Sequence, residues 1–205
     1  MAVQQRVSSL RIVDGEDETV LSLDSIQGSW SEEQYLTMTD HSRRLMEFDA
    51  GVVELLPMPA PEHQKILAYL YRSFFTFLET LGGIVLFSPL RVRVRPGKFR
   101  EPDLAVLRDA NDPRQLKRYW LGVDLAVEVV SDDDPERDTK LKRAEYAEAG
   151  IPEYWIVNPL DETITVLTLA DGAYNELGVF QRGERASSTL LAGFSVSVDE
   201  VFNAK

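Results

Sequence analysis

Two acidic residues that lie 25 positions apart could together hold a divalent cation. Glu128 stands inside the apolar run LAVEVV (125–130), and Asp103 follows a proline in FREPDLAVL. A buried carboxylate is costly unless a partner neutralises it. Two neighbouring carboxylates also repel each other, and a hard divalent cation is the usual partner of such a pair. If the two runs form paired strands, we expect both acids to converge on one metal site at an edge of the sheet.

The alternation of side chains along 123–131 assigns Glu128 to one face of its strand. One face carries only apolar side chains: Val123, Leu125, Val127 and Val129. The opposite face carries Asp124, Ala126, Glu128 and Val130. This pattern fits a surface strand with a solvated glutamate, and it equally fits a cleft into which one carboxylate points.

A third candidate is Lys142 in the segment DTKLKRAEYAEAG. The segment is amphipathic, and Lys142 and Tyr146 are four residues apart on one helix face. A lysine beside a metal site would stabilise charge on a phosphoryl transition state or position an attacking water. Helical lysines are usually solvated, so spacing alone does not assign this role.

The composition restricts the metal and the partners. The chain has no cysteine and two histidines, His41 and His63, so thiolate sites and multi-histidine zinc sites are excluded. Oxygen ligands favour Mg²⁺ or Mn²⁺. The net charge of −12 argues against binding DNA through charge alone. A dense basic stretch nevertheless precedes Asp103: Arg91, Arg93, Arg95, Lys98 and Arg100.

The elements that position these residues predict a mixed α/β sheet flanked by helices. Length predicts a single domain over 1–205, with 1–28 as a peripheral N-terminal extension. Ser31 and Gln34 form a capping box that begins a short helix, and 43–57 reads as a hairpin around Asp49-Ala50-Gly51. Apolar residues spaced by three and four predict a long helix over 61–81, and a second helix spans roughly 135–149. Strand-like runs cover 84–94, 103–109 and 123–131. A strand (EYWIVNP), a hairpin (TITVLTLADGAYNEL) and a final short strand and turn follow.

The motifs REPDLAVL, LAVEVVS and KRAEYAEAGIPEYWIVNP together resemble the Uma2 family, also catalogued as a domain of unknown function. This family belongs to the PD-(D/E)XK superfamily, whose fold is similar to that of restriction endonucleases. The resemblance runs from SEEQYL to VDEVF, and it implies a mixed central sheet between helices, with an N-terminal helix and hairpin.

The resemblance implies the roles of the site residues. Asp103 is the aspartate of the PD element and Glu128 the acid of the (D/E)XK element, with the backbone carbonyl of Val129 as a further metal ligand. Val130 stands where the superfamily has its lysine. The family resemblance implies that the next helix supplies it, and Lys142 fits better than its competitor Lys140.

Two further site candidates are Glu47 and His63. Glu47 matches an acid before the family's first hairpin, although a solvated strand glutamate is an equal reading. His63 ends the stretch MPAPEH and would contact substrate or act as a general base, although a structural role is the commoner one at a helix start.

Two hypotheses of different class follow, and a third ranks last. The first is a Mg²⁺- or Mn²⁺-dependent endonuclease that hydrolyses DNA phosphodiester bonds, with the basic arginines at 91, 93, 95 and 100 binding substrate. The second is a nuclease fold with a decayed site that binds a partner or nucleic acid. The third, a paired-carboxylate hydrolase acting on sugars, has only Trp120 and Trp155 as candidate platforms. We also expect a cytoplasmic protein without a membrane span, and a homodimer, because duplex cleavage needs two cuts.

Overall fold

The structure is a computed structural model that describes residues 9–14, 17–22, 26–42 and 44–205. It forms two compact units, one made of Met1–Pro57 with Gly97–Phe99 and the other of Met58–Pro96 with Arg100–Lys205. The predicted N-terminal extension lies partly outside the described residues. The prediction of one domain over the whole chain stays a prediction.

The first unit contains an N-terminal helix and two antiparallel hairpins. Its elements are β1 (Ser9–Asp14), β2 (Asp17–Ser22), α1 (Glu32–Asp40), β3 (Met46–Asp49) and β4 (Val52–Leu55). The predicted capping box is confirmed, because the Gln34 backbone N–H donates to Ser31 Oγ and the Ser31 N–H donates to Gln34 Oε1.

The turn between β3 and β4 confirms the predicted hairpin. Ala50 and Gly51 both have positive φ, at 46° and 89°, as a two-residue type I′ turn requires. Glycine is also needed for space, because a Cβ on Gly51 would lie 2.6 Å from the carbonyl oxygen of Gly28. A short strand, β7 (Lys98–Arg100), pairs with β3 through Phe99 and Phe48.

The second unit contains a mixed sheet and the helices and short strands around it. Its elements are α2 (Pro61–Glu79), β5 (Ile84–Phe87), β6 (Val92–Arg95), β8 (Leu104–Leu107), β9 (Leu125–Val129), α3 (Arg143–Glu148), β10 (Glu153–Asn158), β11 (Thr163–Ala170), β12 (Ala173–Phe180), β13 (Arg185–Ser187), β14 (Ser195–Ser197) and α4 (Val198–Phe202). Among the described residues, the sheet has six strands in the order β12-β11-β10-β9-β8-β5. β9 and β10 are parallel, and the other neighbours in this sheet are antiparallel. The mixed sheet with helices that was predicted is therefore confirmed.

The long helix α2 packs one face of this sheet. The apolar positions that predicted it are its buried ones: Ile66, Leu67, Leu70, Phe74 and Leu78. Each buried side chain of this size contributes about 1.5–3 kcal/mol relative to an exposed one. The helix ends two residues earlier than predicted, so Leu81 lies beyond it and is 61% exposed.

Strand β9 is covered on both sides, so the surface-strand reading of Glu128 is wrong. Leu125, Val127 and Val129 pack in the same core as α2, whereas Ala126 and Val130 pack in a second core on the opposite face. Val123 belongs to this second core and not to the first face as predicted, because it precedes the strand and does not follow its alternation.

Three other predictions about elements have clear outcomes. The run 84–94 forms two strands, β5 and β6, because Pro89 lacks the N–H that a ladder needs. The second long helix is confirmed over 135–148, and its part from Arg137 to Lys142 is a π-helix. The predicted hairpin is β11–β12, whereas the final turn is a short helix, α4. No helix among the described residues is long and apolar enough to cross a membrane.

Candidate active site

Asp103 directly precedes β8, and Glu128 lies in the neighbouring strand β9. β8 pairs with β9 so that Leu104 faces Val127 and Ala105 faces Ala126. The same register continued by one residue sets Asp103 across from Glu128, and cross-strand partners share a face of the sheet. The charge of Asp103 raises the pKa of Glu128, which shows that the two carboxylates are electrostatic neighbours.

One oxygen of Asp103 is held by two protein groups. The backbone N–H of Val129 donates to Oδ2 of Asp103 at 2.8 Å, and Nε2 of His63 lies 3.1 Å from the same oxygen. His63 is carried by the first turn of α2, directly after Pro61 and Glu62. The helix N-terminus therefore brings the predicted histidine to the predicted aspartate.

One oxygen of Glu128 is held in the same way. The hydroxyl of Tyr146 donates to Oε1 at 2.6 Å, and the ammonium of Lys142 lies 3.0 Å from it. Glu128 is 2% exposed and Lys142 4% exposed, so this ion pair is almost fully removed from water. The spacing of four residues on one helix face thus brings both Lys142 and Tyr146 to Glu128.

Lys140 and Lys142 occupy contrasting environments. Lys140 pairs at the surface with Glu136, with 69% of its side chain exposed. Lys142 lies between Glu128 and Asp138, whose Oδ1 is 3.2 Å from the ammonium. A π-helical turn contains both Asp138 and Lys142, and π-helical turns are frequent at functional sites.

Asp138 is a member of the site that the sequence analysis missed. It is 5% exposed, and its backbone carbonyl accepts a hydrogen bond from the hydroxyl of Tyr154 at 2.9 Å. The signal that could have found it is the spacing, because an acid four residues before Lys142 on a helix faces that lysine.

The cluster has an excess of negative charge. Three carboxylates (Asp103, Glu128 and Asp138) accompany one ammonium (Lys142) and one imidazole (His63). With all three carboxylates ionised, these five groups together have one net negative charge when His63 is protonated and two when it is neutral. Burial raises the pKa of Glu128 well above its ordinary range, and Asp138 and Asp103 raise it further. The charge of Lys142 and the hydrogen bond from Tyr146 oppose this shift without cancelling it.

The pKa of His63 reflects two opposed effects. Burial lowers it, but the hydrogen bond and the charge of Asp103 outweigh burial, with a smaller contribution from the charge of Asp138. The net result is a pKa raised above the ordinary 6.5.

The acids fit a hard divalent cation. Within the described part of the chain, no protein donor bonds Oδ1 of Asp103 or Oε2 of Glu128, because the hydrogen bonds and ion pairs of both residues fall on the other oxygen. These two oxygens and the excess negative charge match the needs of Mg²⁺, which binds proteins through one or two carboxylates and keeps several waters. Across the described residues, no three His, Cys, Asp or Glu side chains form a metal cluster. A cation here would therefore rest on two carboxylates and not on three.

The predicted basic stretch is divided by the fold. Arg100 is 4% exposed, and its guanidinium donates two hydrogen bonds of 2.7 Å to Glu145 on α3. In β6 the arginines alternate with buried valines: Arg93 is half-buried and Arg95 exposed. Arg91, just before β6, is half-buried. Arg100 is therefore engaged by Glu145 and anchors α3, whereas substrate binding by Arg91, Arg93 and Arg95 stays a prediction.

The remaining site candidate, Glu47, belongs to the first unit. It is buried in β3 at 1% exposure and pairs across the hairpin with Glu54. The reading of Glu47 as a solvated glutamate is therefore wrong, and its membership of the acidic cluster stays a prediction. Tyr154 and Trp155 are fully buried and pack in the two cores of the sheet.

The fold is that of a nuclease-like α+β protein. A crystal structure described as a putative nuclease of DUF820, from Anabaena variabilis ATCC 29413, is similar, with a TM-score of 0.68 and 16% sequence identity over 83% of this chain and 96% of that chain. At 16% sequence identity, this structural similarity establishes the fold alone. Residues 32–199 match the Uma2 family, whose description is "Putative restriction endonuclease", and the chain therefore belongs to that family. No curated protein matches it.

Proposed function

We propose that this protein is a metal-dependent endonuclease that hydrolyses DNA phosphodiester bonds. The observation that carries the proposal is the pair of acids on adjacent strands, with Lys142 3.0 Å from Glu128. Membership of a family described as "Putative restriction endonuclease" supports nucleic acid as the substrate class.

Asp103 and Glu128 would hold Mg²⁺ or Mn²⁺, together with the backbone carbonyl of Val129. When bound, such a cation polarises a phosphoryl oxygen and lowers the pKa of a bound water. The protein positions the carboxylates that hold the cation. The two strands hold the carboxylates on one face, and the neighbouring donors keep one oxygen of each acid occupied.

Lys142 would stabilise the negative charge that develops on the phosphoryl group. Its ammonium is almost fully buried between two carboxylates, where a fixed charge acts more strongly than at the surface. Asp138, four residues earlier in the π-helical segment, lies 3.2 Å from the same ammonium and helps to fix its position. A lysine from the helix can thus serve where Val130 occupies the usual position two residues after the acid.

DNA would be bound mainly through Arg91, Arg93 and Arg95. Because the chain carries a net charge of −12, we expect weak binding that falls steeply with salt. A cytoplasmic location and a homodimer, in which each copy would cut one strand, are further proposals. They are tested by localisation of a tagged protein and by sedimentation.

The test is nicking of supercoiled plasmid by purified protein with Mg²⁺ or Mn²⁺. Asp103→Asn, Glu128→Gln and Lys142→Met should each abolish nicking, because each removes one charge without changing the size of the side chain greatly. Lys140→Met is the matched control, since this lysine lies two residues away and in solvent. Equal nicking by all variants would mean that the activity belongs to a contaminant or to another site.

The second candidate function is a binding module that retains the fold without hydrolysis. Val130, which stands where the superfamily has its lysine, favours it, as does the acidic net charge. Calorimetric titration with Mn²⁺ separates the two functions. If the wild type releases or absorbs heat on binding Mn²⁺ and Asp103→Asn does not, the endonuclease is supported. If the wild type shows no heat of Mn²⁺ binding, the binding module is supported.

A further inference from the structure

His63 lies at the edge of the acid pair and is held rigidly. It occupies the first turn of α2, a helix whose next turns are fixed in the core by Ile66 and Leu67. The residue is 9% exposed. An imidazole in this environment has little freedom to move, so the position of its Nε2 is set by the fold.

The hydrogen bonding of the ring assigns its proton. A carboxylate oxygen can only accept, so Nε2 must carry the hydrogen that it shares with Oδ2 of Asp103 at 3.1 Å. Nδ1 is buried and has no hydrogen-bond partner among the described residues. The ring is therefore anchored through Nε2, and it presents a donor to Asp103.

We propose that His63 is a positioning residue for Asp103, an inference that rests on the proposed function. A carboxylate has a broad rotational preference about its last torsion. Two donors on the same oxygen, the imidazole N–H of His63 and the backbone N–H of Val129, restrict that torsion and leave Oδ1 for the cation. Partners of this kind are typically worth 10- to 100-fold in metal affinity.

Positioning and proton transfer predict different results for one substitution. In His63→Gln, the side-chain amide N–H can donate from near the position of Nε2, but an amide does not take up a proton at neutral pH. A positioning role survives this change, whereas a general-base role does not. His63→Ala removes both the hydrogen-bond donor and the group that can take up a proton.

The experiment measures Mn²⁺ affinity by electron paramagnetic resonance on the full chain after treatment with chelator. The variants are His63→Ala, His63→Gln and, as a matched control, His41→Ala, which removes the exposed second histidine. We expect His63→Ala to bind Mn²⁺ about 10- to 100-fold more weakly. His63→Gln and His41→Ala should bind as the wild type does, and plasmid nicking should follow the same order.

One result of the metal titration would overturn the role of His63 while leaving the proposed function intact: equal Mn²⁺ affinity of wild type and His63→Ala. If, with that result, His63→Gln also loses nicking as completely as His63→Ala, the loss would indicate proton transfer. Absence of any Mn²⁺ binding by the wild type would instead contradict the proposed function.

A second measurement needs neither metal nor a substitution at His63. In His41→Ala the chain has one histidine, so a long-range ¹H–¹⁵N spectrum at alkaline pH reports the tautomer of His63 alone. We expect the Nε2–H tautomer, and a changed Nε2 resonance in a further Asp103→Asn background. The Nδ1–H tautomer, or a spectrum unaffected by Asp103→Asn, would refute the inference even if His63→Ala fails to fold.

Discussion

Removing the ammonium of Lys142 is predicted to destabilise the metal-free protein strongly. Lys142→Met keeps the length of the side chain but leaves Glu128 and Asp138 as buried acids without their shared cation. At a separation of 3.0 Å and an effective dielectric constant of about 20, the attraction to Glu128 is roughly 5 kcal/mol. Removing one partner of a buried pair typically costs about 3–5 kcal/mol, and we expect a loss in that range.

The measurement is urea unfolding in the presence of chelator at neutral pH, followed by far-UV circular dichroism. Lys140→Met is the control, and its exposed pair with Glu136 should be worth about 0–1 kcal/mol. The double variant Lys142→Met with Glu128→Gln should recover part of the loss, because it removes the stranded charge as well. A single variant within about 1 kcal/mol of wild type would refute the buried ion pair.

Three further predictions concern charge and backbone. The unfolding free energy of wild type should fall as pH rises from 4.5, the ordinary pKa of a glutamate, through the raised pKa of Glu128, because the folded chain still holds a proton that the unfolded chain has released. In urea unfolding across this pH range, Glu128→Gln should lack that part of the slope. Parallel stability profiles of the two proteins would contradict this prediction. Arg100→Met should cost about 3–5 kcal/mol in the same assay, because it removes the opposite charge and both hydrogen bonds that this guanidinium provides to the buried Glu145, and a cost below about 1 kcal/mol would show that the pair is solvated. Gly51→Ala should lower the thermal midpoint because φ is 89° and the carbonyl of Gly28 blocks a Cβ, so an unchanged midpoint would refute that constraint.

Local signals in the sequence were sufficient for most elements. The capping box at Ser31 and the apolar spacing of α2 depend on contacts within a few residues, so they can be read from the chain. The end of α2 and the break between β5 and β6 were less accurate. Tertiary packing and Pro89 decide those boundaries, and periodicity does not.

The acids were predictable, but their environment was not. Asp103 and Glu128 could be selected because each acid interrupts or begins an apolar strand. The sequence did not predict that Asp138 pairs with Lys142 or that Arg100 pairs with Glu145. A charged side chain on a helix or strand has the same local pattern whether it faces water or a buried partner, and the partner lies far away in the sequence.

By itself, the amino-acid order determined which segments form helices and strands and which few side chains can bind a hard cation, because those properties depend on residue type and short-range spacing. The tertiary structure alone decided that Lys142 and not Lys140 reaches Glu128, that His63 reaches Asp103, and that Glu145 binds Arg100. The physical reason is that strand register and helix rotation, set by the packing of two cores, determine which distant charges meet out of water.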